Sequence, residues 1–305
     1  MKNNSIGIIG MGWVGSSVAI SILQKGLCKK LLLNDINMDI AEGEAMDLNH
    51  GSSFFPTADT QACSIQDMKH CDVIVITAGR GGRPGETRLD LLKENIKIVK
   101  DISSQLKEYK GILVIVSNPV DVLTYYYQKF TGLPVERVIG TGTMLDTARL
   151  REMIGKRIKV DPKSIHANVI AEHGDSEVVL WSSAMVGGMP LRNWEGWSTS
   201  DEENITIQVR KAAQEIIKRK GATNHAIGLV TATLLKWLMY GHKRVCNISS
   251  TLNGPYGLSD IALSVPTLIG ENGIDRLIEV EMTSSEQEKL ALSAQVLRRA
   301  IDSVA

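Results

Sequence analysis

Residues 7–15 read "GIIGMGWVG", and this stretch gives the first indication of the fold. It places Gly10, Gly12 and Gly15 in G-x-G-x-x-G spacing, directly after an apolar run and before "SSVAISILQKG", which has helical periodicity. In such a strand-turn-helix unit the first glycine permits a tight turn, and the second lets a pyrophosphate approach backbone N–H groups at the helix N-terminus. The third lets the helix pack closely on the strand. The stretch therefore predicts a dinucleotide-binding unit.

An acidic residue follows at the distance that is typical of this unit. Asp35 ends the next apolar run, "KLLLND", twenty residues after Gly15. A carboxylate here accepts hydrogen bonds from ribose hydroxyls and repels a 2'-phosphate, so the sequence favours NAD over NADP. The alternative is a glycine-rich turn followed by a helix-capping aspartate. Because strand, spacing and acid occur together, we favour the dinucleotide site.

Short runs rich in Ile, Val and Leu recur through the first half of the chain. They read "IGIIG", "KLLLND", "CDVIVITAG", "GILVIVSNP" and "RVIGTG", and helical spacing occupies several of the intervals. Runs that are apolar on both faces are typical of buried parallel strands. We therefore predict an α/β fold, with a Rossmann-type doubly wound parallel sheet over residues 1–140 that binds ligands at the carboxyl ends of its strands.

Longer amphipathic segments follow after about residue 140. We predict one helix within "SDEENITIQVRKAAQEIIKRKG", capped by Ser200 or Asp201, with an apolar stripe of Ile205, Val209, Ala212 and Ile216. A final helix is predicted to begin at a capping box of Thr283 and Glu286, with a stripe of Leu290, Ala294, Leu297 and Ile301. No linker separates the halves, so we predict a mixed α+β substrate domain over residues 141–305 and a cleft between two apposed lobes.

The charge balance and the cysteine pattern exclude several classes of partner. Lys+Arg and Asp+Glu both number 34 in 305 residues, so we expect neither a nucleic-acid partner nor a membrane surface. No apolar run approaches the roughly 20 residues that span a bilayer. The N-terminus has no signal-peptide pattern and the four cysteines have no C-x-x-C spacing. We therefore expect reduced thiols, no metal and a cytoplasmic location.

One tyrosine–lysine pair resembles a motif of a different dehydrogenase family. "YYYQK" places Tyr125 and Lys129 four apart, like the Tyr-x-x-x-Lys pair of short-chain dehydrogenases. That family uses a different glycine spacing in its first turn, and no serine lies at a suitable distance upstream of Tyr125. We therefore predict that the tyrosines lie on a helix surface or at an interface.

Residues suited to acid–base chemistry and anion binding occur at predicted loops and helix starts. His173 follows the apolar run "IHANVIA" within "EHGDSE", and "GTMLDTARLRE" places Asp146 and Arg149 three apart on one face of a predicted helix. Arg88 ends "GRGGRPGETR" (residues 79–88), a glycine-rich stretch that we interpret as a substrate lid. A lone histidine is usually a surface or core residue, and an Asp–Arg pair at this spacing is usually an ordinary helix ion pair.

The motifs together resemble those of the L-lactate/malate dehydrogenase superfamily, from end to end of the chain. They are "GIIGMGWVG", "TAGRGGRPGETRLDL", "VSNPVDVLTY", "GTGTMLDTARLR", "EHGDSE" and "KGATNHAIG". The similarity is greatest to bacterial L-lactate and 2-hydroxyisocaproate-type L-2-hydroxyacid dehydrogenases. It implies an NAD-dependent enzyme that reversibly transfers hydride between NADH and a small 2-oxo acid. A non-catalytic NAD-binding protein on the same fold would lose these groups, so we favour the enzyme.

The resemblance implies a role for each of the four groups. His173 would give a proton to the substrate carbonyl in reduction and take it back in oxidation. Asp146 would hold the imidazole and favour its protonated form. Arg149 would bind the substrate carboxylate through two parallel hydrogen bonds, and Arg88 would arrive with the lid and stabilise charge on the carbonyl oxygen.

Further residues are assigned to the cofactor by the same resemblance. Asn118 in "SNPV" would contact both nicotinamide and substrate, although Asn-Pro is also an ordinary turn, and its bond to Pro119 is expected to be cis. Thr77, Ala78 and Gly79 would line the cofactor side, where small residues let the backbone come close.

The lid bears on substrate choice. Where lactate members have a lid glutamine and malate members an arginine, alignment on "PGETR" gives Gly82, so we predict room for pyruvate or a bulkier 2-oxo monocarboxylate. Glu86, Glu172 and Thr223 also follow the lactate pattern. The alternative is a malate dehydrogenase acting on oxaloacetate, in which Arg80 or Arg83 turns inward onto a second carboxylate.

A last pair bears on regulation. In bacterial lactate dehydrogenases activated by fructose 1,6-bisphosphate, two basic residues face each other across a subunit interface, and Arg151 and His166 occupy those places here. Both can equally be ordinary surface residues. The resemblance implies a homo-oligomer, a tetramer or a dimer, and this effector site requires the tetramer.

Overall fold

The apolar runs of the first half form a parallel sheet. The computed structural model describes residues 4–81 and 87–304, apart from the Arg88 side chain. The strands are β1 (Ser5–Ile9), β2 (Lys30–Asn34), β3 (Asp59–Ala62), β4 (Val73–Ile76), β5 (Ile112–Ile115) and β6 (Val138–Gly140). They lie in the order β3-β2-β1-β4-β5-β6, and each neighbouring pair is parallel. This is the strand order of a doubly wound dinucleotide-binding sheet, with its switch point between β1 and β4. The predicted fold class is confirmed.

Helices cover both faces of this sheet. The helices of the first half are α1 (Trp13–Gln24), α2 (Met38–His50), α3 (Arg88–Gln105) and α4 (Val120–Thr131). Buried residues of α1 and α2 form a core with one face, and those of α3 and α4 form a core with the other. None of the helices within residues 4–81 and 87–304 combines the length and the apolar character that a membrane span requires.

The second half extends the same sheet. Three antiparallel strands, β12 (Arg244–Asn253), β13 (Ser259–Gly270) and β14 (Gly273–Leu277), continue it from β6, where Ser249 pairs with Gly140. Short strands form two further small sheets, namely β7 (Ile165–His166), β10 (Met185–Val186) and β11 (Met189–Pro190), and β8 (Val169–Ile170) with β9 (Val178–Val179). The helices of this half are α5 (Met144–Ile158), α6 (Thr199–Lys220), α7 (His225–Met239) and α8 (Ser284–Asp302).

The predicted helix ends and stripes are confirmed for α8 and partly wrong for α6. Thr283 and Glu286 form the expected capping box of α8, and its whole apolar stripe is buried. The α6 cap is Ser198, whose side chain accepts from Asp201 N, so neither Ser200 nor Asp201 is the cap. Asp201 instead supplies the returning carboxylate of a capping box. The α6 stripe is buried only in its first half, because Ile216 is 38% exposed.

The prediction for the tyrosines of α4 is wrong. Tyr125, Tyr126 and Tyr127 are all buried in the described chain, and Tyr127 is completely inaccessible. The Tyr126 hydroxyl donates to the Ile301 carbonyl at 2.9 Å, and the Tyr125 hydroxyl donates to Asp260 at 3.1 Å. A tyrosine can be buried when its hydroxyl finds a partner, and β13 and α8 supply partners for Tyr125 and Tyr126. The Tyr127 hydroxyl has no hydrogen-bond partner within the described residues.

Candidate active site

The glycine turn after β1 has the geometry that its spacing predicts. Gly10 has φ of +100°, and a Cβ there would lie 2.5 Å from the Ala78 backbone nitrogen. A Cβ on Gly15 would collide with the Gly10 carbonyl oxygen. Gly12 caps α1 and faces open space, since a Cβ there would meet nothing within 4 Å. The turn thus combines a tight bend, a close helix contact and an open approach to the N-terminus of α1.

Asp35 follows β2 directly and is bound to the glycine turn. Its Oδ2 accepts from Met11 N at 2.7 Å, and its Oδ1 accepts from Asn37 N at 3.0 Å. Each carboxylate oxygen has a second lone pair that could accept from a ribose hydroxyl. The carboxylate therefore lies at the glycine turn, as the sequence predicts for a ribose-binding residue.

A cavity of about 880 Å³ lies along these loops, within the size range of ligand sites. Six of the eight residues predicted to bind the cofactor line it, namely Gly10, Gly12, Asp35, Thr77, Ala78 and Gly79, whereas Gly15 and Asn118 are not among its lining residues. It opens at the carboxyl ends of β1, β2 and β4, where a doubly wound sheet binds its ligand. The residues present fit a dinucleotide.

Side-chain hydrogen bonds fix the loop after β4. Thr77 Oγ1 donates to the Gly10 carbonyl, and Ser117 Oγ donates to the Ala78 carbonyl, both at 2.5 Å. Asn95, on α3 and only 1% exposed, binds both backbone groups of Arg80, accepting from its N–H at 2.9 Å and donating to its carbonyl at 3.3 Å. Sequence reasoning missed Asn95, although a polar residue inside the apolar stripe of α3 is a signal that could have found it.

Three of the four residues assigned to chemistry meet at one carboxylate. Asp146 Oδ2 lies 2.5 Å from His173 Nδ1, and Asp146 Oδ1 lies 2.7 Å from Arg149 Nη1. The Asp146 residue is 3% exposed, whereas the His173 side chain is 22% exposed. The contact at Nδ1 leaves Nε2 of the imidazole available to a substrate. Arg149 keeps further guanidinium donors for an anion.

The charges of this cluster set its protonation. Burial lowers the pKa of His173, but the charge and hydrogen bond of Asp146 and the charge of Asp121 outweigh this effect and raise it to about 9. Burial acts to raise the pKa of Asp146, but His173 and Arg149 hold it below its usual value. At neutral pH the pair is therefore an imidazolium and a carboxylate, which is the form that gives a proton away.

Asp121 is a second residue that sequence reasoning left without a role. It lies on α4, is buried, and its Oδ2 accepts from the His173 backbone N–H at 2.7 Å. Burial raises the pKa of Asp121 to about 6. Since α4 directly follows β5, this bond places the His173 loop at the carboxyl end of β5. Asp121 occurs within the quoted motif "VSNPVDVLTY", so the signal was present.

The chain matches known proteins over nearly its whole length. The family profile described as "lactate/malate dehydrogenase, NAD binding domain" matches residues 4–140, and that described as "lactate/malate dehydrogenase, alpha/beta C-terminal domain" matches residues 143–305. The chain belongs to the lactate/malate dehydrogenase family.

Individual members of the family are similar throughout. An L-lactate dehydrogenase of Fervidobacterium nodosum is 44% identical, and one of Synechococcus sp. is 43% identical, with at least 97% of each chain covered. A solved lactate dehydrogenase from a Medee basin deep-sea metagenome library superposes with a TM-score of 0.97 at 39% identity, covering 100% of this chain and 99% of that one. The minor L-lactate dehydrogenase of Enterococcus mundtii has the same TM-score and coverage at 37% identity.

Three further residues that the family resemblance singles out, Asn118, Thr223 and Glu172, lie on loops. Asn118 follows β5 and is exposed, and its bond to Pro119 is cis, as predicted. Thr223 lies on the loop between α6 and α7. Glu172 makes hydrogen bonds within the protein. Its backbone N–H donates to Ser293 Oγ on α8 at 3.1 Å, and its carboxylate accepts from the Ser176 backbone N–H.

The lid lies largely beyond what the structure describes. Gly82, Arg83 and Glu86 lie outside the described residues, as does the Arg88 side chain at the start of α3. Arg80 is described: Asn95 holds its backbone, and its Nη1 donates to the Gly81 carbonyl at 3.3 Å.

Arg151 and His166 lie on α5 and β7. Arg151 Nε donates to the Ala167 carbonyl at 3.0 Å, and its Nη2 donates to Asn168 Oδ1 at 3.4 Å, whereas His166 is exposed. Because Ala167 follows His166 directly, the two basic residues approach the same segment of backbone. Among the residues described, no cluster of three or more His, Cys, Asp or Glu side chains could hold a metal ion.

Proposed function

We propose that this chain is an NAD-dependent L-2-hydroxyacid dehydrogenase of the lactate type, which interconverts a 2-oxo monocarboxylate and its L-2-hydroxy acid. One observation carries the proposal: a single buried carboxylate, Asp146, binds both the acid–base candidate His173 and the anion-binding candidate Arg149. A 2-oxo acid presents a carboxylate and a carbonyl on adjacent carbons. The cluster therefore brings together an anion site and a proton donor, the two groups that this substrate class needs.

Each side chain has a separate task in reduction. Arg149 binds the substrate carboxylate through its free guanidinium donors and so orients the neighbouring carbonyl. His173 donates the proton from Nε2 to the carbonyl oxygen, and Asp146 stabilises the imidazolium before that transfer. Arg88, at the start of α3, stabilises negative charge that grows on the same oxygen. In the oxidation direction neutral His173 accepts the hydroxyl proton.

Asp35, Thr77, Ala78, Gly79 and the glycine turn would hold the cofactor, with Asn118 at the nicotinamide end. When bound, NAD(H) supplies or accepts the hydride at the substrate carbon. We propose NAD rather than NADP, because the Asp35 carboxylate at the glycine turn would repel a 2'-phosphate. A comparison of kcat/KM with NADH and NADPH tests this preference.

The substrate is proposed to be pyruvate or a bulkier 2-oxo monocarboxylate, because Gly82 brings no side chain to the lid. The malate alternative, with Arg80 or Arg83 binding a second carboxylate, is not favoured, since the similar relatives are L-lactate dehydrogenases. For Arg80 the backbone is also held on both sides by Asn95. We further propose a cytoplasmic homo-oligomer, and a fructose 1,6-bisphosphate site at Arg151 and His166 if the oligomer is a tetramer.

The substitution His173→Gln tests the proposed role of the acid–base residue. We expect pyruvate reduction by NADH to fall by roughly 10²- to 10⁴-fold, the usual contribution of general acid–base catalysis. NADH binding, followed by fluorescence, should remain, because His173 is not among the residues that line the dinucleotide cavity. Retention of reduction in a variant that still binds NADH would contradict the assignment.

A further inference from the structure

Glu177 is a buried acidic residue beside the proposed catalytic cluster, to which neither the resemblance nor the proposed mechanism gives a role. It lies four residues after His173, immediately before β9, and is 2% exposed. Its backbone is anchored on both sides, since its N–H donates to the Gly174 carbonyl at 3.2 Å and its carbonyl accepts from Arg210 Nη2 at 2.9 Å. The Glu177 backbone is therefore held at the end of the catalytic loop, residues 171–177, which joins β8 to β9 and carries His173.

The carboxyl group of Glu177 lacks the partners that a buried anion needs. Its Oε1 is inaccessible and has no hydrogen-bond partner within the described residues. An ionised carboxylate in such surroundings is costly, and the group lowers that cost by holding its proton. Burial and the negative charge of Asp146 raise the pKa of Glu177 to about 8, although His173, Arg210 and Arg149 act to lower it. At neutral pH the group is mainly the neutral acid.

The charges that act on Glu177 include those of the proposed catalytic cluster. They are carried by Asp146 and Arg149 on α5, His173 on the catalytic loop and Arg210 on α6. With Glu177 neutral, the positive charges of protonated His173 and Arg149 are opposed by the negative charges of Asp146 and Asp121, and the cluster has no surplus of negative charge. An ionised Glu177 would add a negative charge that repels the substrate carboxylate. Arg210 is exposed and bound to a backbone carbonyl, so solvent screens its compensating charge.

We propose that Glu177 is a positioning residue that acts as a neutral acid: it leaves the positive charge of Arg149 to the substrate carboxylate, and its ionisation in alkaline solution weakens substrate capture. This inference rests on the proposed function. It predicts an effect on KM for the 2-oxo acid rather than on kcat, because bound substrate holds Glu177 in its neutral form.

The test compares the pH dependence of KM for pyruvate in the wild type and in Glu177→Gln, which keeps the shape of the neutral acid. At pH 9 about one molecule in eleven of a group with pKa about 8 is still neutral, so ionisation of Glu177 should raise KM by about tenfold over pH 7. Loss of the His173 proton adds about twofold at that pH in both proteins. We expect the rise from pH 7 to pH 9 to be about twentyfold in the wild type and about twofold in E177Q.

Two further variants keep the test decisive. Glu177→Met is also neutral but makes no hydrogen bond, so it should show the same rise of only about twofold if E177Q is poorly folded. Glu203→Gln, at an exposed glutamate on α6, should keep the wild-type profile. A full rise of KM in both neutral variants would overturn the proposal. If the proposed function itself is wrong, the wild type will not reduce pyruvate at any pH, which is a separate outcome.

Discussion

Asp146 joins two cations through the opposite oxygens of one carboxylate. Taken alone, its contact with Arg149 is an ordinary pair at i and i+3 on a helix, worth a few tenths of a kcal/mol at a surface. Its second contact, to His173 across 27 residues of sequence, distinguishes the cluster from such a pair. Because Asp146 is buried, the loss of its charge would leave both cations without a counter-ion in surroundings of low dielectric constant.

The substitution Asp146→Asn should impair reduction and move its pH dependence. Removal of the carboxylate charge lowers the pKa of His173 from about 9, so a smaller fraction of the imidazole carries the proton at neutral pH. We expect kcat/KM for pyruvate at pH 7 to fall by on the order of 10²- to 10⁴-fold, by analogy with the aspartate of a catalytic triad. The alkaline decline of the rate should begin at lower pH than in the wild type. An unchanged alkaline decline would show that Asp146 does not control this proton.

The hydrogen bond from the His173 backbone N–H to Asp121 leads to a prediction about stability and activity. Asp121→Ala leaves the His173 backbone N–H without its acceptor, which should lower the free energy of unfolding by about 1–3 kcal/mol. Asp121→Asn keeps an acceptor oxygen and should retain more stability and more activity. Urea unfolding and kcat/KM measured on both variants check this. Equal losses in the two variants would mean that the hydrogen bond to His173 is unimportant.

The sequence predicted those strands and helix ends that a local pattern of residues specifies. Five apolar runs are strands of the parallel sheet, and Thr283 and Glu286 cap α8, because strand burial and capping boxes depend on adjacent residues. The pattern did not identify Ser198 as the α6 cap, since several polar residues in succession can each cap a helix. The burial of Tyr125 depends on Asp260, 135 residues away, so no local pattern could reveal it.

The same limit applies to the candidate site. His173, Asp146 and Arg149 were assigned from motifs, and the structure brings them together. Asn95 and Asp121 act on the backbone of distant segments, and such contacts become visible only when the elements are in place.

The hydrogen bonds between Asn95 on α3 and the Arg80 backbone lead to a prediction about the segment that precedes the lid. Asn95→Leu removes both hydrogen bonds to the Arg80 backbone, which should destabilise the native position of this segment by about 1–3 kcal/mol. We therefore expect kcat/KM for pyruvate to fall by roughly tenfold. Asn49→Leu is the matched control, because Asn49 holds both backbone groups of Thr60 by the same pair of bonds, at 2.8 and 3.3 Å, elsewhere in the fold. Steady-state kinetics on both variants check this. Equal losses would indicate general destabilisation instead.

One sheet connects the two halves of the chain, and elements of both halves hold the catalytic loop. Strands β12–β14 extend the parallel sheet beyond β6, and the two cores that flank this sheet contain residues from both halves of the chain. A further core lies wholly within residues 150–209 of the second half. Asp121 of α4 and Ser293 of α8 both bind the backbone beside His173. The catalytic loop is therefore positioned by elements from both halves of the chain.

The proposed effector site can be tested through the assembly of the protein and its response to fructose 1,6-bisphosphate. If Arg151 and His166 meet their symmetry mates in a tetramer, fructose 1,6-bisphosphate should lower KM for pyruvate and stabilise the tetramer in sedimentation experiments. His166→Ala should abolish both effects and leave the activity without effector near that of the wild type. A dimer with kinetics that do not respond to the bisphosphate would contradict this proposal.

The most direct test of the proposed activity is NADH oxidation by the purified protein with pyruvate, 2-oxoisocaproate, phenylpyruvate and oxaloacetate in parallel, compared by kcat/KM. We predict that a monocarboxylate is the best substrate, and the ranking by size will show how much room the lid leaves beside Gly82. A preference for oxaloacetate of about a hundredfold, or roughly 2.7 kcal/mol in transition-state stabilisation, would contradict the lactate-type assignment. In that case an arginine beside Gly82 would have to bind the second carboxylate.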